Sequence, residues 1–142
     1  MKMHPWAEGF VRSLGNFHTL LFRWTGFTGP GVFRQTLILS TRGRKTGREI
    51  STPLLYVEEH EKLYIVASFG GNDAHPGWYR NLVANPEVKV ERNQGSRRYR
   101  ARSLSPEEAG KVWPKLLALY PTYADYQKKT TRVIPVVELT PI

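Results

Sequence analysis

The sequence predicts an α+β domain in which an antiparallel barrel or strongly twisted sheet is flanked by helices. Three observations carry that prediction. About six short strand-like runs fill the middle of the chain, most joined by hairpin-length connections, and such connections imply antiparallel pairing. The longer helical patterns lie toward either end. The length of 142 residues with 40% hydrophobic side chains suits one packed core and not two.

Residues 5–25 read as an amphipathic helix. Pro5 suits a first helical turn, and Trp6, Phe10, Leu14, Phe17, Leu21 and Trp24 form one stripe at steps of three and four. That stripe either packs on the core or lies against a membrane surface or an apolar substrate. GFTGPG (26–31) ends the helix, so 1–31 is read as helix and linker and 32–142 as the barrel part of a single domain. TLILST (36–41) is the first strand and a basic glycine loop follows it. EISTPLLYV (49–57) is the second strand, with Pro53 marking an edge or bulge. EEHEK (58–62) turns, LYIVAS (63–68) is the third strand, and FGGNDAHPG (69–77) is a loop.

WYRNLVAN (78–85) is a short helix started by Pro76 and stopped before Pro86. EVKVERN (87–93) and RRYRARSL (97–104) form a hairpin around Gln94-Gly95. Ser105-Pro106-Glu107-Glu108 has capping-box spacing and opens a helix carrying Val112, Trp113, Leu116 and Leu117. Pro114 should kink that helix or divide it. YPTYADYQKK (120–129) and a last strand, RVIPVVELT (132–140), complete the chain.

Lys plus Arg number 21 against 12 Asp plus Glu, a formal balance of +9, which points to an anionic partner without naming one. No run of apolar residues is long enough to cross a membrane as a helix, and the absence of Cys removes thiolate metal sites, iron–sulfur clusters and Cys nucleophiles. The N-terminus lacks the pattern of a secretory leader, so a reducing cytoplasm is the expected compartment. The cations of 89–102 read as a solvated hairpin face. A nucleic-acid module would need aromatics interleaved with them, and only Tyr99 is there, so no nucleic-acid partner is expected.

The four histidines have no metal-ligand spacing, and no G-x-S-x-G, H-E-x-x-H, Walker loop or G-x-G-x-x-G occurs. No metal site is expected, and an enzyme built from this chain would draw its chemistry from a bound cofactor. Thr41-Arg42-Gly43-Arg44-Lys45-Thr46-Gly47-Arg48 is the best anion site. Its glycines let backbone N–H groups turn toward one point as a nest, Arg44 offers a fork, Lys45 a point charge and Thr46 a hydroxyl. The same residues also suit an unliganded basic turn. Tyr120, Tyr123 and Tyr126, spaced three and three, can present phenols on one helical face, either to a planar ligand or to the core. Trp78-Tyr79-Arg80-Asn81 adds N–H donors and a cation at a helix start.

Taken in order, LILSTRGRKTGREISTPLLYV (37–57), VASFGG (66–71), HPGWYRNLVANPEV (75–88) and YPTYADYQKKTTRVIPVVEL (120–139) resemble the deazaflavin-dependent nitroreductase family. The resemblance covers about residues 36–140 and implies an antiparallel split β-barrel of the FMN-binding-like class. It also implies hydride transfer from reduced coenzyme F420, a 5-deazaflavin, to an electron-poor acceptor such as a quinone, a nitroaromatic or an unsaturated lipophile. By that resemblance Arg44, Lys45, Thr46 and Ile50, Ser51, Thr52, Pro53, Leu54 and Leu55 receive the cofactor's phosphate and oligoglutamate tail. Val66, Ala67, Ser68 and Phe69, then Gly77, Trp78, Tyr79, Arg80, Asn81 and Tyr123, make further cofactor contacts. Leu55, Tyr120 and Tyr126 line the substrate side, and Tyr123 or Ser68 assists transfer or delivers a proton. Many members carry Lys where Phe69 stands, so one cation toward the tail is lost here. Some carry Tyr where Leu55 stands, so this substrate pocket is more apolar. FMN in a related barrel, and a deazaflavin carrier without turnover, are the alternative readings. The aromatic N-terminal stripe makes peripheral membrane contact an expectation, and the chain is expected as a monomer or homodimer.

Overall fold

The computed structural model of the chain describes residues 35–93 and 95–142. The expected N-terminal helix over 5–25 and the boundary between 1–31 and 32–142 therefore lie outside the described residues. Within them, seven strands form one antiparallel sheet: β1 (Thr36–Arg42), β2 (Glu49–Leu55), β3 (Val57–Glu59), β4 (Lys62–Val66), β5 (Glu87–Arg92), β6 (Gly95–Ser103) and β7 (Val136–Pro141). The helices described are α1 (Gly77–Ala84), α2 (Pro106–Leu119) and α3 (Thr122–Lys128).

The strand order is β2-β1-β5-β6-β7-β4-β3. β2 and β3 stand at opposite edges of that order, yet only Tyr56 separates them in the chain. The sheet therefore curls until its two edges are joined through the backbone. Tyr56 marks the junction, donating its N–H to the Gln35 carbonyl at 2.9 Å. Away from the junction no ladder joins β2 to β4, and the half-barrel stays split along that line. The run 49–57, read from sequence as one strand, is thus two strands serving two edges, and the sheet has seven strands where about six were expected.

Alternation sorts the core into two layers. Leu37, Leu39, Leu63, Ile65, Val88, Val90, Val137 and Leu139 fill the concave interior, closed at one end by Trp78 and Leu82 of α1. Tyr64, Val66 and Val136, from the opposite face, pack against Val112 and Leu116 of α2 and Tyr123 of α3. β4 is apolar on both faces because it lies between these layers, so its sequence does not alternate. The β3–β4 turn is two residues long, His60 and Glu61, both with positive φ, as a type I′ hairpin demands.

α2 opens with a complete capping box, the Ser105 side chain accepting from the Glu108 N–H and the Glu108 carboxylate accepting from the Ser105 N–H. Of the two expected outcomes at Pro114, a kink or a division, the division does not occur: the helix is continuous from Pro106 to Leu119. Pro114 and Gly110, whose carbonyl loses its partner, are both exposed, so water can satisfy that carbonyl. The basic hairpin face is laced with ion pairs, Lys89 to Glu49, Arg98 to Glu87, Arg92 to Glu58 and Arg102 to both Glu108 and Glu138. Arg102 and the Ser105 backbone hold the Glu108 carboxyl down at about 2.

Candidate active site

The split between β2 and β4 opens into a cleft of about 560 Å³. One wall is β2, contributing Ile50, Thr52, Pro53, Leu54 and Leu55. The facing wall is the end of β4 and the turn after it, Val66, Ser68, Phe69 and Gly70. Pro76, Gly77 and Trp78 at the start of α1 and Tyr120, Tyr123 and Tyr126 around α3 complete it. The lining is mostly apolar and aromatic with a few hydroxyls, the usual character of small-molecule sites of about 300–1,000 Å³.

The turn is built for close approach. Phe69, Gly70 and Gly71 have φ of 46°, 61° and 81°. A Cβ on Gly71 would come within 2.8 Å of the Tyr126 carbonyl oxygen, so only glycine lets the turn pack on α3. Phe69 is held in the left-handed region although it is not glycine, and its ring is half exposed at the rim of the cleft.

Most residues singled out from sequence converge here: Ile50, Thr52, Pro53, Leu54, Leu55, Val66, Ser68, Phe69, Gly77, Trp78, Tyr120, Tyr123 and Tyr126. Others point elsewhere. Ser51 hydrogen-bonds Ser40 across the β1–β2 ladder at 2.8 Å. Ala67 is fully buried in the interior core. Tyr79 pairs its hydroxyl with Ser103 at 2.9 Å and its ring with His75, and Arg80 is exposed. Asn81 is buried under the basic loop, its side chain donating to Thr41 Oγ1 at 3.3 Å.

Asn81 explains how the basic loop is held. Its Oδ1 accepts from the Arg44 N–H at 3.2 Å and from Arg44 Nη1 at 2.9 Å, which ties the loop to α1. The loop leads directly into β2, so its two attachments are the elements that carry Trp78 and Ile50 into the cleft. Its backbone is less open than a full nest. The N–H groups of Gly43, Gly47 and Arg48 bond within the loop, to Arg48 O, Gly43 O and Thr46 Oγ1. Among the described residues nothing bonds the N–H groups of Lys45 and Thr46, and Arg44 and Lys45 are exposed.

Sequence reasoning missed Arg132. Its guanidinium donates to four acceptors: Asn72 O at 2.8 Å, Ser68 O at 2.9 Å, Ala67 O at 3.2 Å and His75 Nδ1 at 3.1 Å. An arginine ahead of a strand reads as a solvated charge, and only the fold reveals what it meets. Gly70 and Pro76 were also missed as lining; the GG pair and the HPG run were their signals.

The tyrosines differ in their hydroxyls. Those of Tyr120 and Tyr126 share a hydrogen bond of 3.0 Å. That bond and partial burial push Tyr126 up to about 12. The Tyr123 ring lies edge-on to Tyr120, with 5.0 Å between centroids. Burial, then the neighbouring Tyr120 and Tyr126, raises Tyr123 well above the ordinary phenol value, so it stays protonated. Among the described residues, neither the Tyr123 hydroxyl nor Ser68 Oγ has a hydrogen-bond partner, although both residues line the cleft. Burial and then Arg132 and Arg80 lower His75, keeping it a neutral acceptor for Arg132.

A curled antiparallel sheet, split to expose an aromatic cleft beside a basic loop, is the architecture of a split-barrel oxidoreductase. Residues 21–141 match the family model described as F420H(2)-dependent quinone reductase, and the chain belongs to that family. An F420H(2)-dependent quinone reductase of Mycobacterium tuberculosis is 35% identical over 150 residues, covering 99% of each chain. The solved structure of an F420-H2 dependent reductase, FDR-A, superposes with a TM-score of 0.69 at 41% identity, covering 75% of this chain and 94% of that one. Another, described as a domain-swapped dimer, has a TM-score of 0.70 at 36% identity, covering 94% of this chain and 98% of that one. The chain is thus an F420-dependent oxidoreductase, and quinone is the acceptor of its family.

Proposed function

We propose that the cleft between β2 and β4 seats the deazaflavin ring of F420 and a quinone together. The observation that carries this reading is a pair of hydroxyls, Ser68 and Tyr123, unpartnered among the described residues and lining one apolar, aromatic cavity. The cavity's volume and aromatic lining suit a planar ring system, and the exposed cations of Arg44 and Lys45 suit a phosphate on its side chain.

When bound, the reduced deazaflavin supplies a hydride, and a quinone needs one hydride and one proton to become the hydroquinone. The chain's own residues orient, exclude water and stabilise charge. Arg44, Lys45 and Thr46 hold the anionic handle. Ile50, Thr52, Pro53, Leu54, Val66, Phe69, Gly77 and Trp78 enclose the ring, and Ser51, Ala67, Tyr79, Arg80 and Asn81 support that enclosure from behind. Leu55, Tyr120 and Tyr126 form the acceptor's side. Tyr123, protonated throughout the physiological range, donates a hydrogen bond to the acceptor oxygen as negative charge grows there, and Ser68 offers a second donor. The aromatic stripe of residues 5–25 supports a cytoplasmic enzyme in peripheral contact with a membrane, where quinones dissolve, and the domain-swapped relative supports a homodimer.

Fluorescence titration with F420, followed by stopped-flow transfer to menadione, tests the reading. Tyr123→Phe is expected to keep the cofactor dissociation constant and lower kcat by about 10²-fold, the order seen when one oxyanion donor is removed. Equal turnover would reduce Tyr123 to packing, and no binding by the wild type would remove the cleft assignment itself.

A further inference from the structure

Two walls of the cleft meet at one residue that does not line it. The backbone of Arg132 belongs to the α3 side: its carbonyl accepts from Gln127 Nε2 at 2.8 Å and its N–H donates to Thr130 Oγ1 at 3.3 Å. Gln127 also accepts from the Ile134 N–H at 2.9 Å, so the segment after α3 is pinned to the helix that carries Tyr123 and Tyr126. The side chain of Arg132 belongs to the other wall. Nη2 holds the carbonyl of Ser68, Nη1 the carbonyl of Ala67 and His75 Nδ1, and Nε the carbonyl of Asn72. Every one of these acceptors lies between residues 67 and 75, the segment that includes Ser68, Phe69 and Gly70 of the lining. The walls also touch where Gly71 closely approaches Tyr126 and Lys129, where Val66 packs with Tyr123, and where the Ala67 N–H donates to the Pro135 carbonyl at 3.0 Å.

We infer that Arg132 is a positioning residue that sets the separation between the Ser68 wall and the Tyr123 wall, and with it the alignment of hydride donor and acceptor. The inference rests on the cleft being the site of transfer. A planar fork is required, because four acceptors in fixed directions cannot be met by an ammonium with three donors. The segment between residues 67 and 75 contains three consecutive left-handed residues, a conformation that persists only when its surroundings hold it. Arg132 lies apart from the basic loop that would grip the anionic handle, so loss of the fork should affect alignment more than affinity. Misalignment of the order of 1 Å costs about 10²-fold in rate.

Arg132→Lys and Arg132→Ala are the test, each read in three ways. In the ligand-free protein, amide hydrogen exchange over 67–75 should quicken in both variants while the β1–β2 and β5–β6 ladders keep their protection. With F420 bound, the dissociation constant should stay within about threefold of wild type while single-turnover reduction of menadione slows about 10- to 100-fold. Added guanidinium at tens of millimolar should restore much of the rate and the protection in Arg132→Ala. Wild-type exchange and rate in the lysine variant would overturn the inference, as would an effect confined to cofactor affinity or a failure of guanidinium to rescue. If the alanine variant does not fold, the lysine variant carries the test alone. A wild-type protein that binds F420 without reducing menadione would instead count against the proposed transfer site.

Discussion

Arg44 and Arg132 are the same side chain in opposite surroundings. Arg44 sits on an exposed glycine loop and, among the described residues, is held by Asn81 alone, through one backbone and one side-chain bond. The rest of its guanidinium faces solvent, available to an anion. Arg132 is engaged by four protein acceptors and is half-buried. A guanidinium left partly unsatisfied at a loop is available to a ligand. One engaged by three carbonyls and an imidazole is committed to the protein's own frame.

The sharpest way to break this comparison is the double variant Arg44→Ala with Lys45→Ala. Two charge-assisted contacts to a phosphate are worth about 2–4 kcal/mol, so F420 affinity should fall by roughly 30- to 1,000-fold in a fluorescence titration. Thermal unfolding should shift little, since the buried Asn81 Oδ1 loses Arg44 Nη1 but keeps the Arg44 N–H. Unchanged affinity would strip the loop of its ligand role and make the two arginines alike.

Asn81→Ala tests the middle ground. It releases Arg44 and leaves the buried Thr41 hydroxyl without its donor, and a buried polar group left unpaired costs about 1–3 kcal/mol. Urea unfolding should register that loss, while cofactor affinity falls by less than in the double variant. A larger effect on affinity than on stability would mean that Asn81 meets the cofactor itself.

The smallest effect concerns His75. Its folded pKa is lowered below the ordinary 6.5, first by burial and then by Arg132 and Arg80. The unfolded chain therefore binds the proton more readily. Stability from this group is complete above about pH 6.5 and is lost as pH falls through the folded value. Cooling of the melting temperature between pH 8 and pH 5 should be steeper in wild type than in His75→Gln, whose amide oxygen can still accept from Arg132. A steeper fall in the glutamine variant would reverse the sign and refute the account.

What could be read from the sequence was whatever announces itself locally. The loop 41–48 combined glycines with cations, Tyr120, Tyr123 and Tyr126 repeated at helical spacing, and Ser105 to Glu108 spelled a cap; the structure finds the three tyrosines in one cleft and the cap complete. Features depending on distant partners could not be read. Tyr56 looks like the inside of one strand, and only closure of the sheet makes it the joint between two edges. Tyr79 and Asn81 carry the same helix-start signal as Trp78, but the helix turns them away from the cleft, to Ser103 and to the loop. Pro114 follows a sound local rule that exposure to water relaxes.

The divided seam carries one more consequence. Among the described residues β2 pairs with β1 on one flank and with no strand on the other, which leaves part of its main chain as a template for an extended peptide. Pro53, lacking an amide hydrogen, blunts that template at its centre. A molecule lodged in the seam would cover what proline leaves open, and cofactor loading would then act as a guard against self-association as well as a source of electrons.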